Sequence, residues 1–92
     1  MQRQTLLAEL EATFGGSERT RRAVARQAGD LADSGRLEED MDVELTPEVV
    51  VSNLEDAPDG YSLVERWNWW VGSLDLSFGG YQRFSVRTDL AE

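Results

Sequence analysis

The stretch Trp67-Asn68-Trp69-Trp70-Val71-Gly72-Ser73-Leu74-Asp75-Leu76-Ser77-Phe78 concentrates the aromatic and apolar side chains of the chain, and its secondary structure decides the fold. Two patterns compete in it. Just upstream, Ser62-Leu63-Val64-Glu65 matches a capping box, and Leu63, Trp67, Trp70, Val71 and Leu74 fall on one face of a helix. Alternatively, Gly72-Ser73 forms a two-residue type II′ turn that sets Val71 opposite Leu74, Trp69 opposite Leu76 and Trp67 opposite Phe78 on one face of a hairpin. A helix leaves the alternation of Leu74, Leu76 and Phe78 without a reason, whereas the hairpin accounts for both halves. The hairpin is therefore the predicted form.

Working outward, a loop at Gly79-Gly80-Tyr81 brings Phe78 opposite Gln82, Leu76 opposite Phe84 and Leu74 opposite Val86, so the same face stays apolar across a third strand. Residues 61–71, 74–78 and 82–87 are thus predicted to form a three-stranded antiparallel β-meander, with helices covering one face. On the other face the register collects Arg66, Asn68, Trp70, Asp75, Ser77, Arg83, Ser85 and Arg87. An outward tryptophan beside arginines suits a protein interface or a stacking platform for single-stranded nucleic acid. The plainer readings are a covering loop and a cation–π contact with an arginine. Arg66, Asn68, Trp70, Arg83 and Arg87 are the candidate partner-binding residues.

Upstream of the meander the pattern is helical. Leu6, Leu7, Leu10 and Phe14 recur at helical spacing until Gly15-Gly16 stops them. Ser17 is the expected N-cap of a second helix whose stripe is Thr20, Val24, Ala28, Leu31 and Ala32, with Gly35 as its stop. The two-glycine connection favours an antiparallel helical hairpin. Within 37–45, Met41-Asp42-Val43-Glu44-Leu45 alternates apolar and acidic residues, as an edge strand near 41–45 or an extended linker would. Thr46-Pro47-Glu48 starts a third, short helix over 47–57, although Val49, Val50 and Val51 would suit a strand. The predicted fold class is α+β: an N-terminal helical hairpin and a third helix (helical part 3–57) packed on one face of the meander (61–87), as a single domain over 1–92.

Composition narrows function. With no cysteine and no histidine, a thiolate site, a disulfide and the commonest general base are all missing. No phosphate loop, dinucleotide fingerprint or calcium loop is found, so the expectation is a non-enzymatic protein with no catalytic, cofactor or metal residues. Absence of a long apolar run predicts no membrane span and a cytoplasmic location. All nine basic residues are arginine, isoleucine and lysine are absent, and the net charge is −9. That composition resembles proteins of salt-in haloarchaea, in which a carboxylate coat keeps a protein hydrated when molar salt screens charges within about 3 Å.

The charge falls in blocks: residues 1–36 sum to +1, residues 37–65 to −10 with no arginine, and residues 66–92 to zero. Arg19, Arg22 and Arg26 form a stripe on the second helix away from its apolar face, a candidate polyanion-binding surface. Its plain alternative is a solvated face with Glu18–Arg22 and Arg26–Asp30 pairs. The run from Arg21 to Leu37 resembles the recognition-helix region of winged-helix DNA-binding proteins, although an acidic segment follows where a basic wing would stand. The leading expectation is a protein–protein interaction or regulatory module, a homodimer or the partner of another protein, acting through the outer sheet face. The alternative is a nucleic-acid-associated protein using the arginine stripe or the Arg/Trp face.

Overall fold

Ser62 and Glu65 decide the tryptophan stretch. Glu65 N–H donates to Ser62 Oγ at 3.2 Å and Ser62 N–H to Glu65 Oε1 at 2.8 Å, a complete capping box. From it one helix runs unbroken over Leu63–Phe78 and ends at Gly79, whose φ of 77° few other residues accept. Gly72 is helical rather than a turn residue, and Ser73 Oγ donates back to the Trp69 carbonyl at 3.2 Å. The helical stripe Leu63, Trp67, Trp70, Val71 and Leu74 is the buried face. The alternation that favoured a hairpin included residues that the core does not use: Leu76 is 91% exposed and Phe78 44%.

The structure, a computed structural model, describes residues 1–87, so positions 88–92 of the expected 1–92 domain lie outside the described residues. Among the described residues there are five α-helices and one 3-10 turn, and no strand. The α+β class, the three-stranded meander over 61–87 and the edge strand near 41–45 are all replaced by an all-helical fold. The helices are α1 (Arg3–Phe14), α2 (Glu18–Ser34), α3 (Arg36–Met41), α4 (Pro47–Glu55) and α5 (Leu63–Phe78), with the 3-10 turn at Gln82–Phe84.

Local signals account for most of these boundaries. Gly15 and Gly16, both at positive φ, end α1. Ser17 Oγ accepts from Thr20 N–H at 3.1 Å to start α2, and left-handed Gly35 closes it. Thr46 Oγ1 accepts from Val49 N–H at 3.2 Å and Pro47 opens α4, which stops two residues short of the expected 57. Near 41–45 no strand forms: the six-residue α3 ends at Met41, and the irregular chain of the linker alternative runs on from Asp42, the one non-glycine residue at positive φ among those described. Its alternating acids Asp42 and Glu44 are exposed in that connection, while Leu45 is buried.

Packing joins four helices in a ring, in which α1 and α5 each lie against both α2 and α4, while α3 leans on α2. Leu6 and Leu10 from α1, Val24, Ala28 and Leu31 from α2, Val50 and Leu54 from α4, and Trp67 from α5 meet fully buried at the centre. Ala25 and Ala28 keep α2 small where other elements approach it.

The chain after α5 closes the core without a sheet. Trp67 is fully buried, and its indole Nε1–H donates to the Phe84 carbonyl at 2.8 Å. Next to it, Asn68 Nδ2 donates to the Val86 carbonyl and Asn68 Oδ1 accepts from Val86 N–H, both at 2.8 Å. A side-chain amide thus supplies both bonds that a neighbouring strand would have offered to Val86. That lets Tyr81, Phe84 and Val86 bury their side chains although residues 82–87 form no ladder.

Replacing Asn68 by alanine leaves both backbone groups of Val86 without a protein partner, and an unmade hydrogen bond in a partly buried site costs about 1–3 kcal/mol. Urea unfolding of Asn68→Ala should show a loss in that range with an unchanged far-UV spectrum. A midpoint equal to wild type would contradict the role given to Asn68.

Candidate functional site

The residues expected to share an outer sheet face are divided among different tasks. Arg66 projects from the first turns of α5 onto carbonyls, donating through Nη1 to Leu54 at 3.0 Å and through Nε to Tyr61 at 3.1 Å, with its guanidinium 5.2 Å from the Phe14 ring centre. Asn68 is engaged by Val86. Trp70 is only 6% exposed and meets Trp67 edge-on, with ring centres 5.6 Å apart. Arg83 lies over the Phe84 ring at 4.7 Å, and Arg87 is exposed after the 3-10 turn. With no sheet there is no common face to hold these five together.

Arg19, Arg22 and Arg26 are all exposed on α2, as the helical spacing implied. Arg22 pairs with Glu18 at 2.8 Å, whereas no salt bridge to Arg19 or Arg26 occurs among the described residues. Arg21 turns the other way, donating to the Gly15 carbonyl at 3.4 Å, to the Gly16 carbonyl and to Glu11 Oε2 at 3.3 Å. The open hollow between α1 and α2 is lined by three arginines, of which Arg21 and Arg22 are paired with Glu11 and Glu18.

One polar cluster was not foreseen. Arg36, just after the Gly35 cap, donates to the Gly79 carbonyl at 2.8 Å and the Gly80 carbonyl at 3.4 Å, reaches Asp40 at 3.4 Å, and covers the Tyr81 ring at 4.7 Å. Tyr81 donates its hydroxyl to Asp40 Oδ2 at 2.7 Å, while its own N–H donates to Asp75 Oδ1 at 2.9 Å. The cluster ties α3 to the end of α5. Burial, then the Asp40 hydrogen bond and charge, push the Tyr81 hydroxyl up to about 12, with Arg36 opposing. Among the described residues no buried side-chain polar atom lacks a partner, and the bonds of this cluster all run within the chain, so it reads as a fastening. The i,i+4 spacing of Arg36 and Asp40 was a legible signal for part of it.

Two apolar surfaces remain open. The first is the outer face of α5, where Gly72, Ser73 and Leu76 lie away from the buried stripe beside Trp69, itself partly buried against the core, and a side chain added at Gly72 would meet nothing within 4 Å. The second is a groove of about 420 Å3 between α3 and α4, walled by Leu37, Met41, Val43 and Val49 and floored by Trp70. Trp70 returns here as the floor of a groove instead of an exposed platform. Neither surface could be read while α5 was taken for two strands.

Among the described residues no group of acids is arranged to hold a metal ion, and no helix is long and apolar enough to cross a membrane. The family profile described as the WNWW domain matches residues 1–75, a description that spells out residues 67–70 in one-letter code. The match spans α1 to α4 and the greater part of α5, and ends before the closing segment. No curated protein and no solved structure matches the chain.

The Tyr81 shift has a definite sign. Its folded pKa is raised above the unfolded value near 10, so the stabilisation is complete below about pH 10 and is lost as pH climbs through about 12. In Tyr61→Phe protein, where Tyr81 is the remaining tyrosine, tyrosinate absorbance should appear near pH 12 together with loss of helical signal. Ionisation near pH 10 with the fold intact would contradict the Asp40 contact.

Proposed function

The chain belongs to the WNWW domain family, and we propose that it is a non-enzymatic interaction module of the cytoplasm that works through the outer face of α5, with a second copy as its partner. The observation that carries this reading is Leu76, an aliphatic side chain 91% exposed in the last turn of α5. Isolated exposed leucines are ordinary, but this one shares its stripe with Trp69, partly buried against the core, and with the bare backbone at Gly72. Positions 69 and 76 are equidistant from the midpoint of Gly72 and Ser73. A two-fold axis through that midpoint would set Trp69 of each copy against Leu76 of the other, as a self-complementary interface requires.

Charge sets the conditions. Two copies of net charge −9 repel in dilute buffer, where screening extends about 30 Å, and far less in molar salt. On the stripe itself the acid is Glu65, at the N-terminal end, and Asp75 is turned toward Tyr81. Light scattering should show a monomer in dilute buffer and a doubled mass in molar KCl. Leu76→Glu should weaken the dimer at least about tenfold, since each leucine buried is worth roughly 1.5–3 kcal/mol. A wild-type monomer at every salt concentration, or a dimer indifferent to Leu76→Glu, would sink the proposal.

A second reading, association with a nucleic acid, is favoured by one observation: Arg19, Arg22 and Arg26 stand exposed in a row on α2 of an otherwise acidic chain. Under it, oligonucleotides would bind with a salt dependence that falls by about one unit of slope for each arginine replaced by glutamine. Tryptophan fluorescence unmoved by both single- and double-stranded oligonucleotides would dispose of it.

A further inference from the structure

We infer that the groove between α3 and α4 receives the apolar face of a basic amphipathic helix from a partner protein. This surface is separate from the α5 stripe and shares no residue with it. Its walls come from three places in the chain: Leu37 and Met41 from α3, Val43 from the connection, and Val49 from α4, with Trp70 of α5 beneath. Met41 is 46% exposed at its edge, and Val43 and Val49 are half-buried, so apolar surface is offered to solvent along the length of the cleft. At about 420 Å3 it falls in the range of cavities that seat ligand groups. A thioether at the lip lets the wall adapt to differently shaped side chains, as in grooves that accept amphipathic helices.

Charge identifies the occupant. Glu48 lines the groove itself, Glu38, Glu39, Asp42 and Glu44 are exposed on the same elements, and the chain from 37 to 65 holds ten acids and no arginine. An apolar cleft with Glu48 in its lining, on so acidic a part of the chain, attracts a segment that is apolar on one side and cationic at its flanks, and repels an anionic membrane surface. A second copy does not meet that description. It brings a net charge of −9, and the exposed arginine stripe of its α2 has no exposed apolar side chain beside it.

The probe is a synthetic helix-forming peptide of leucine and lysine, with leucine at i, i+3, i+4 and i+7, titrated into the full chain in dilute and in molar KCl. Two controls accompany it: a scrambled peptide of the same composition, and an amphipathic peptide with glutamate in place of lysine. The expected result is binding that perturbs the Met41 methyl and Trp70 indole resonances, weakened about tenfold by scrambling and about tenfold by Met41→Arg at the exposed lip. Leu76→Glu should leave it unchanged, which separates this surface from the dimer face. Equal binding of the scrambled peptide would show bare charge attraction, and preference for the glutamate peptide would show the wrong charge class. Resonance shifts confined to α5's outer face, or no binding at either salt concentration, would likewise overturn the assignment.

Discussion

A tryptophan that is fully buried must still find an acceptor for its indole N–H, and in this chain that acceptor is the Phe84 carbonyl at 2.8 Å. The requirement fixes more than one side chain. It brings the segment after α5 back across the helix, and Asn68, one residue on, holds that segment through both backbone groups of Val86. Phe84 and Val86 can then bury against the same helix that anchors them. Without the return, Trp67 and its neighbours would close only one side of the ring made by α1, α2, α4 and α5.

The fastening at the other end of the segment follows from the same return. Gly79 and Gly80, both near φ 77°, turn the chain so that their carbonyls face Arg36, and Tyr81 drops beneath that guanidinium to reach Asp40. Short α3 would gain little from its own six residues, since an isolated helix of that length is not stable in water. It is held by Leu37 in the core and by this polar cluster. Placing α3 in turn sets the wall of the groove whose floor is Trp70.

Much of the helical part was legible because its signals are local. Ser17, Thr46-Pro47 and Gly35 act through bonds and dihedral angles within a few residues, so their spacing in the chain is enough to place them. In the C-terminal half two local signals compete. Ser62 and Glu65 announced a helix, and the stripe from Leu63 to Leu74 agreed with them, but Leu76 and Phe78 were counted as core because they are apolar. Leu76 lies opposite Trp67 on the helix, and its exposure has no counterpart in a periodicity that assigns every apolar residue inward. The capping box and a buried face running from Leu63 to Leu74 outweigh an alternation confined to Leu74, Leu76 and Phe78.

The candidate residues fared according to that same error. Asn68 and Trp70 stood out for good reason, but the helix turns them to the closing segment and to the groove floor instead of to one shared surface. Arg19, Arg22 and Arg26 kept their predicted common face because α2 was read as a helix from the start. The account rests on the Trp67–Phe84 bond, and hydrogen exchange of the Trp67 indole proton tests it most directly. Exchange as slow as the slowest core amides, opening only with global unfolding, is the predicted result. An indole proton that exchanges as fast as that of partly buried Trp69 would contradict it.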